Sequence, residues 1–333
     1  MDEIKRILAI NFGGIGDEIF FLPSLISLKK EFPNSHITLA LEPRSKSIKD
    51  LTNIIDDLIL VDIKNKNKYF ELLKLIFKAQ FGKFDIVISS GGNKLIGILL
   101  FLTGIHQRYG FDSGKLSQKL LTKTAKLDKN RYACDMYHEL VKPLTQNYTE
   151  LPQINVEIQE KIQNSVLIHP GVSKMSVQKG MIKTISAQVW TDLIKLLINK
   201  GKHVILAGGP DDNEVIQYIL KDLQACNISN FENYFGKTKN IKDLAKLISK
   251  AEIFICSDSA PLHIAVAMGI KTYAIFGPTD DRQLIPKKDF VKSLKINDSC
   301  PIKPCLWAHR NTTCESLDCL KFDAEDIIKQ IEF

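Results

Sequence analysis

Short apolar runs alternate along the chain with longer stretches of helical character, each run closed by glycine, proline or small polar residues. KRILAI (5–10) reads as a buried strand, and Asp17 to Phe32 as a helix stopped by Pro33. HITLAL (36–41) is the next strand, and FDIVISS (84–90) leads into an apolar helix over 93–104. A polar stretch, NYTELPQINVEIQEKIQN (147–164), interrupts this rhythm, which restarts at SVLIHPG (165–171). There follow a helix over 187–200, a strand and turn in HVILAGGP (203–210) and a helix over 241–250. A strand in EIFICSDS (252–259), a helix in PLHIAVAMG (261–269) and a strand and turn in KTYAIFGPTD (271–280) complete the series. Strands alternating with helices predict parallel sheets covered on both faces. Two such runs predict an α/β protein of two Rossmann-like, doubly wound domains, 1–155 and 165–333. They are expected to face each other across a cleft, with ligands at the carboxyl ends of the strands.

The length of 333 residues agrees with two cores rather than one. The greasiest segment, Leu95 to Ile105, is too short for a bilayer span, which takes ~20 residues. MDEIKRILAI has no secretory pattern, so a cytoplasmic protein is expected. Net charge is +7, and residues 1–150 carry most of the excess, with 22 Lys and Arg against 17 Asp and Glu. Within KLSQKLLTKTAKLDKNR (115–131), Lys115, Lys119 and Lys123 recur at helical spacing. Such a basic face suits an anionic substrate or an anionic membrane surface, and equally a solvated helix. Nucleic acid is not expected as a partner, because no recognisable binding module is present and aromatics are not interleaved with the basic residues.

Of seven cysteines, Cys134, Cys226 and Cys256 are scattered and read as core residues. Cys300, Cys305, Cys314 and Cys319 crowd together with spacing C-x4-C-x8-C-x4-C, looser than the paired knuckles of a zinc ribbon. Reduced thiols or a local disulfide are favoured over a structural metal, and neither a metal nor a cofactor is expected.

NFGGIGDEIFFLP (11–23) places three glycines and an acid after the first strand. It lacks the third glycine of the dinucleotide fingerprint, where Ile19 stands, and the Lys-Ser/Thr pair of a P-loop, where Asp17 and Glu18 stand. What remains is a tight strand-to-helix turn in which Gly14 and Gly16 allow close approach of a ligand. Asp17 suits either a helix-dipole partner or a general base at the end of a strand. In the second half, CSDSAPLHIAVAMG starts a helix near Pro261 with Ser259 as N-cap, a setting suited to a diphosphate. His263 stands in the first turns of that helix, as a ligand or as a structural histidine. Gly208-Gly209-Pro210 and Gly277-Pro278-Thr279 also follow strands, and together these turns outline a nucleotide-diphosphate pocket. Lys174, Lys179 and Lys183 precede a helix whose N-cap reads as Ser186, and a lysine there would neutralise a departing diphosphate.

GGIGD-EIFFLPSLISLKKEFP, QRYGF (107–111), HPG, LAGGP, SDSAPLHIA and IFGPTD occur in the order of bacterial glycosyltransferase family 9, which includes the ADP-heptose:lipopolysaccharide heptosyltransferases. The chain resembles that family over roughly residues 5–320. The resemblance implies a GT-B architecture, with the acceptor on the first domain and a nucleotide-diphospho-sugar on the second. It also implies metal-independent, inverting transfer. Asp17 would be the general base and Lys183, seven residues before Trp190, the phosphate-contacting lysine. Asp258, Ser259, Ala260 and His263 would meet the donor, together with Gly208, Gly209, Gly277 and Thr279. Gly14, Gly16, Arg108 and Lys115 would meet an anionic glycolipid acceptor, with peripheral contact to the inner-membrane surface. The cysteine-rich tail matches a structural trait of the family.

Three departures stand out. Ala260 replaces the usual glycine, and Asp281 follows GPTD where proline is usual, without the aromatic that often comes next. The loop before Lys183 is longer and lacks the K-x-W-P continuation. The expected activity is transfer of heptose from ADP-heptose to a lipopolysaccharide core or related surface glycan. The rivals are a GT-B transferase with another donor and a non-catalytic sugar-nucleotide binder.

Overall fold

The computed structural model describes residues 5–296 and 300–333. The opening four residues, which belong to the segment read for a secretory pattern, lie outside the described ones. The chain divides into two compact units, residues 1–155 and 156–333.

The first unit runs β1 (Arg6–Ile10), α1 (Ile15–Glu31), β2 (His36–Leu41), β3 (Asp57–Leu60), α2 (Lys68–Phe81) and β4 (Ile86–Ser89). It continues α3 (Leu95–Leu102), β5 (Gln107–Phe111), α4 (Lys115–Leu120), β6 (Lys123–Ala125) and α5 (Ala133–His138). Its six strands are parallel in the order β3-β2-β1-β4-β5-β6. β1 is central, and Ile7 to Ile10 are fully buried, as in a sheet covered on both faces. α1 begins two residues before the predicted start, because Gly14 takes the N-cap position. Lys123 departs from the expected helical face. The helix ends at Leu120, and Lys123 pairs with Tyr109 as part of the edge strand β6. Lys115 and Lys119 remain on α4, both exposed.

The second unit runs β7 (Ser165–His169), α6 (Lys174–Gln178), α7 (Ala187–Asn199), β8 (His203–Leu206), α8 (Asn213–Ala225), β9 (Glu232–Asn233) and α9 (Ile241–Lys250). After these come β10 (Ile253–Ser257), α10 (Ala260–Ala267), β11 (Thr272–Ile275), α11 (Asp281–Leu284), β12 (Val291–Leu294) and α12 (Ala324–Lys329). Its parallel order, β12-β11-β10-β7-β8-β9, repeats the plan of the first unit. α7 is strongly amphipathic. Trp190, Leu193, Ile194 and Leu197 are buried against Val166, Ile168, Val204 and Leu206, and α12 joins this core through Ile327 and Ile328. Ser186 caps α7, its hydroxyl accepting from the Val189 N–H at 3.3 Å. No helix among the described residues is long and apolar enough to cross a membrane.

Candidate functional site

In an open parallel sheet, loops diverge where the strand order reverses, and the crevice that results is where ligands bind. In the first unit that point lies between β1 and β4. A cavity of about 220 Å³ sits there, lined by Asn11, Phe12, Gly13 and Asp17 from the first loop, Ser89, Ser90 and Gly91 from the second, and Tyr137. Hydrogen bonds between side chains and backbone fix the loop. Gly13 N–H donates to Asn11 Oδ1 (3.0 Å), Asn11 Nδ2 to Asp17 O (3.2 Å), and Ser45 Oγ to Gly13 O (3.0 Å). Asp17 Oδ2 accepts the Gly14 N–H at 2.7 Å, so the carboxylate both caps the helix start and lines the cavity. Gly13 cannot be replaced cheaply, because a Cβ there would lie 2.3 Å from the Cβ of Asp17. Gly14 holds the N-cap and Gly16 the first turn.

Glu18 follows with a different fate. Its side chain is buried, and among the described residues neither carboxyl oxygen has a hydrogen-bond partner. Burial pushes that carboxyl well above the usual carboxylate range; the neighbouring Asp17 charge adds to the effect and Arg44 opposes it. Tyr137 packs edge-on against Phe21 at 5.8 Å, and burial, then Asp17 and Glu18, raise its phenol well above its ordinary value. Adjacent acids on one helix turn therefore differ, one at the cavity wall and one buried in the interior with its pKa raised.

The order of the second unit reverses between β7 and β10, and Lys183, Asp258 and Thr279 come together there. Ser257 Oγ donates to Pro170 O (2.8 Å) and bonds to Thr184 Oγ1 (2.9 Å), which also receives Trp190 Nε1–H (3.1 Å). These bonds position Lys183. Its ammonium lies 3.2 Å from Asp258 Oδ2, in an ion pair whose side chains are 12% and 3% exposed. The same oxygen accepts the Thr279 hydroxyl at 2.9 Å. The Trp307 ring lies 5.2 Å from the Lys183 ammonium, a cation–π contact absent from the sequence reading. The tail that carries Trp307 is itself anchored. Cys305 and Leu306 N–H donate to Pro278 O (2.9 and 3.0 Å), and Thr313 N–H donates to Gly180 O (2.8 Å).

Ser259 occupies the N-cap of α10 in extended conformation, but its hydroxyl does not cap the helix. Ala260 and Pro261 open the helix. His263 is buried, and desolvation pushes its imidazole down to about 4; Asp258 opposes the shift and Lys183 adds to it. A ring of this pKa is neutral near pH 7.

Other predicted residues are occupied in structural ways. Arg108 donates through Nε to Leu120 O (2.7 Å) and through Nη1 to Ile105 O (2.5 Å), and its guanidinium lies 5.6 Å from the Phe101 ring centre. It does not line the cavity of Asp17, and neither does Lys115 at the start of α4. Gly208 packs against Ile216 and Asp212, and the Gly209 N–H donates to Asp212 Oδ2 at 2.7 Å. Asp212 faces His169 at 3.5 Å. Gly277 has a packing reason to be glycine, since a Cβ would meet Leu320 Cδ2 at 2.5 Å. None of the seven cysteines forms a disulfide, and among the described residues no group of three or more His, Cys, Asp or Glu side chains could hold a metal ion.

The sequence profile of glycosyltransferase family 9 (heptosyltransferase) matches residues 73–304. The chain belongs to glycosyltransferase family 9. This family 9 chain is 24% identical over 325 residues to lipooligosaccharide heptosyltransferase 2 of Campylobacter jejuni subsp. jejuni serotype O:6, covering 96% of this chain and 95% of that one. Its fold matches that of Escherichia coli ADP-heptose LPS heptosyltransferase II with TM-score 0.73 at 19% identity, over 97% of this chain and 96% of that one. It also matches E. coli heptosyltransferase WaaC with ADP-2-deoxy-2-fluoro heptose, with TM-score 0.71 at 16% identity, over 97% and 98% of the two chains. The protein is accordingly a glycosyltransferase, built from two doubly wound α/β domains of the GT-B class.

The structure of this family 9 glycosyltransferase gives Asp281, one of its departures, a local role. Burial pushes the Asp281 carboxyl up, but hydrogen bonds from Lys295 (2.7 Å) and Ser293 (2.6 Å) hold it below its ordinary value. Asp281 thereby ties α11 to the β12 segment.

Proposed function

We propose that the enzyme transfers heptose from ADP-heptose to a lipopolysaccharide core or a related surface glycan, with inversion and without a metal ion. The names of its relatives support donor and acceptor class, as heptosyltransferases of lipooligosaccharide and lipopolysaccharide. Structures of E. coli heptosyltransferase WaaC with ADP-2-deoxy-2-fluoro heptose and with ADP support the nucleotide. Residues 1–155 take the acceptor and residues 165–333 the donor. The acceptor hydroxyl attacks the anomeric carbon from the face opposite the diphosphate. Asp17 removes its proton, and the sugar–phosphate bond breaks with its electrons going to the diphosphate. Lys183, 3.2 Å from Asp258, and the first N–H groups of α10 stabilise that leaving group. Positioning accounts for most of the acceleration.

One observation carries this reading. Each unit places its polar cluster where its strand order reverses, a carboxylate beside a cavity in one and a clamped ammonium in the other. The acceptor's lipid would bring a cytoplasmic enzyme into peripheral contact with the inner-membrane surface, the lysines of 115–131 contributing charge.

A different nucleotide sugar is the second reading, favoured by Ala260, whose methyl group stands at the first position of α10. Thermal-shift titration with ADP, UDP and GDP separates the two. The largest stabilisation is expected from ADP, and a larger one from UDP or GDP would overturn the donor assignment. Transfer from ADP-heptose to a deacylated core oligosaccharide should proceed in EDTA and give an inverted anomer by NMR. Retention, or loss of activity on chelation, would contradict the mechanism. Donor binding without transfer to any core acceptor would favour a binder.

A further inference from the structure

α2 is hydrophobic on the side that faces solvent. Leu75, Ile76 and Ala79 supply its buried face, with Glu71 beside them. On the outer side Tyr69 is 74% exposed, Phe70 57%, Leu73 51%, Phe77 58% and Phe81 81%. Tyr69, Leu73, Phe77 and Phe81 recur every fourth residue, so they form one stripe along the helix, with Phe70 next to it. The stripe continues onto α3. Gln80 Nε2 donates to Leu102 O at 2.9 Å, bringing exposed Phe101 and Leu102 beside the last turn of α2. Isolated surface apolar residues are ordinary, whereas a row of aromatic rings is costly to leave in water.

Charge around the stripe has one sign. Residues 64–83 contain six lysines (64, 66, 68, 74, 78 and 83) and one acid, Glu71. Glu71 is buried and paired with Lys74 at 2.9 Å. Lys74 and Lys78 follow the aromatic stripe around the helix, and the Lys74 ammonium lies 4.4 Å from the Phe70 ring centre. An aromatic stripe with lysines along its margin is the pattern of a helix lying in the headgroup layer, with rings among the acyl chains and ammonium groups on lipid phosphates.

We propose that the outer face of α2, extended by the end of α3, docks the enzyme on an anionic phospholipid surface. Lysines without an apolar stripe would favour a soluble polyanion, and an apolar stripe without the lysines would favour a second copy of the chain. The combination selects the anionic bilayer. This goes beyond the basic segment 115–131 and stands on the exposed face itself, and so it is tested separately from transfer.

The full-length chain is sedimented with vesicles of phosphatidylethanolamine and phosphatidylglycerol, and with phosphatidylcholine alone. The wild type should bind the anionic vesicles only, with affinity falling as salt rises. The triple variant Phe70→Ser, Phe77→Ser, Phe81→Ser should bind at least ~tenfold more weakly. Lys74→Gln and Lys78→Gln should each weaken binding about fivefold. All three rings are exposed, so the melting temperature should hold. Equal binding to both vesicle types, or a triple variant that binds like the wild type, would overturn the proposal. So would light scattering showing a wild-type dimer that the triple variant abolishes. Transfer to a water-soluble acceptor is measured in parallel. If it persists in the triple variant, docking is separate from catalysis; if it is absent from the wild type, the transferase reading fails and the vesicle result stands.

Discussion

The two units share a strand order and put their polar residues at the same point of it, yet they treat charge in opposite ways. Asp17 is half-buried at a cavity, its carboxylate held by one backbone N–H, which suits the general base proposed for it. Lys183 is nearly buried against Asp258 and beside Trp307, which suits the diphosphate contact proposed for it. A buried pair of this kind contributes little to stability and much to placement. The contrast extends below the surface, where the first unit buries an acid whose pKa is pushed up, Glu18, and the second an imidazole whose pKa is pushed down, His263.

The largest expected effect separates the roles of the two charges. Asp17→Asn keeps the size of the side chain and removes the proposed base, so kcat should fall about a thousandfold, read in a steady-state transfer assay. An intact kcat would remove Asp17 from the chemistry.

The next effect sharpens the contrast in the interior. Unfolded histidine titrates near 6.5, while His263 in the fold titrates at about 4. The unfolded chain binds the extra proton in that window. The stability contributed by the neutral ring is therefore complete above pH ~6.5 and is lost as pH falls, by about 3 kcal/mol at pH 4. Glu18 runs the other way. The folded chain keeps a proton that the unfolded chain releases near 4.5, so its contribution is complete below that and is lost as pH rises. Hydrogen exchange should show the core of the second unit loosening on acidification, with the trend reduced in His263→Gln. In Glu18→Gln, the first unit should gain protection at neutral pH. A Glu18→Gln variant less stable at pH 7 than the wild type would break the comparison.

Ser186→Ala gives the smallest change. It removes the cap of α7 and should cost about 1 kcal/mol in denaturant unfolding, with kcat unaffected.

Much of this arrangement is legible in the sequence because glycine-rich turns after buried strands mark the carboxyl edge of a parallel sheet. HITLAL, Ile241–Lys250 and the Ser186 cap lie where the pattern puts them. α2 escapes that reading because its aromatic stripe faces water. Apolar residues on both faces erase the 3.6-residue contrast from which helices are read. The edge strands β9 and β12 are short and only partly buried, so they lack the apolar runs that mark central strands. Within the site, Asp17 and Lys183 stand at readable positions. Tyr137 and Trp307 reach it through tertiary packing, from a six-residue helix and from a tail segment with no periodicity of its own.

Isothermal titration of ADP into the wild type, Asp17→Asn and Lys183→Met tests the division of labour most directly. Asp17→Asn should bind ADP like the wild type, and Lys183→Met at least ~tenfold more weakly, as expected for losing a charge-assisted contact. Undiminished affinity in Lys183→Met, or equal losses in both variants, would contradict a donor site built on the second unit and a base supplied by the first.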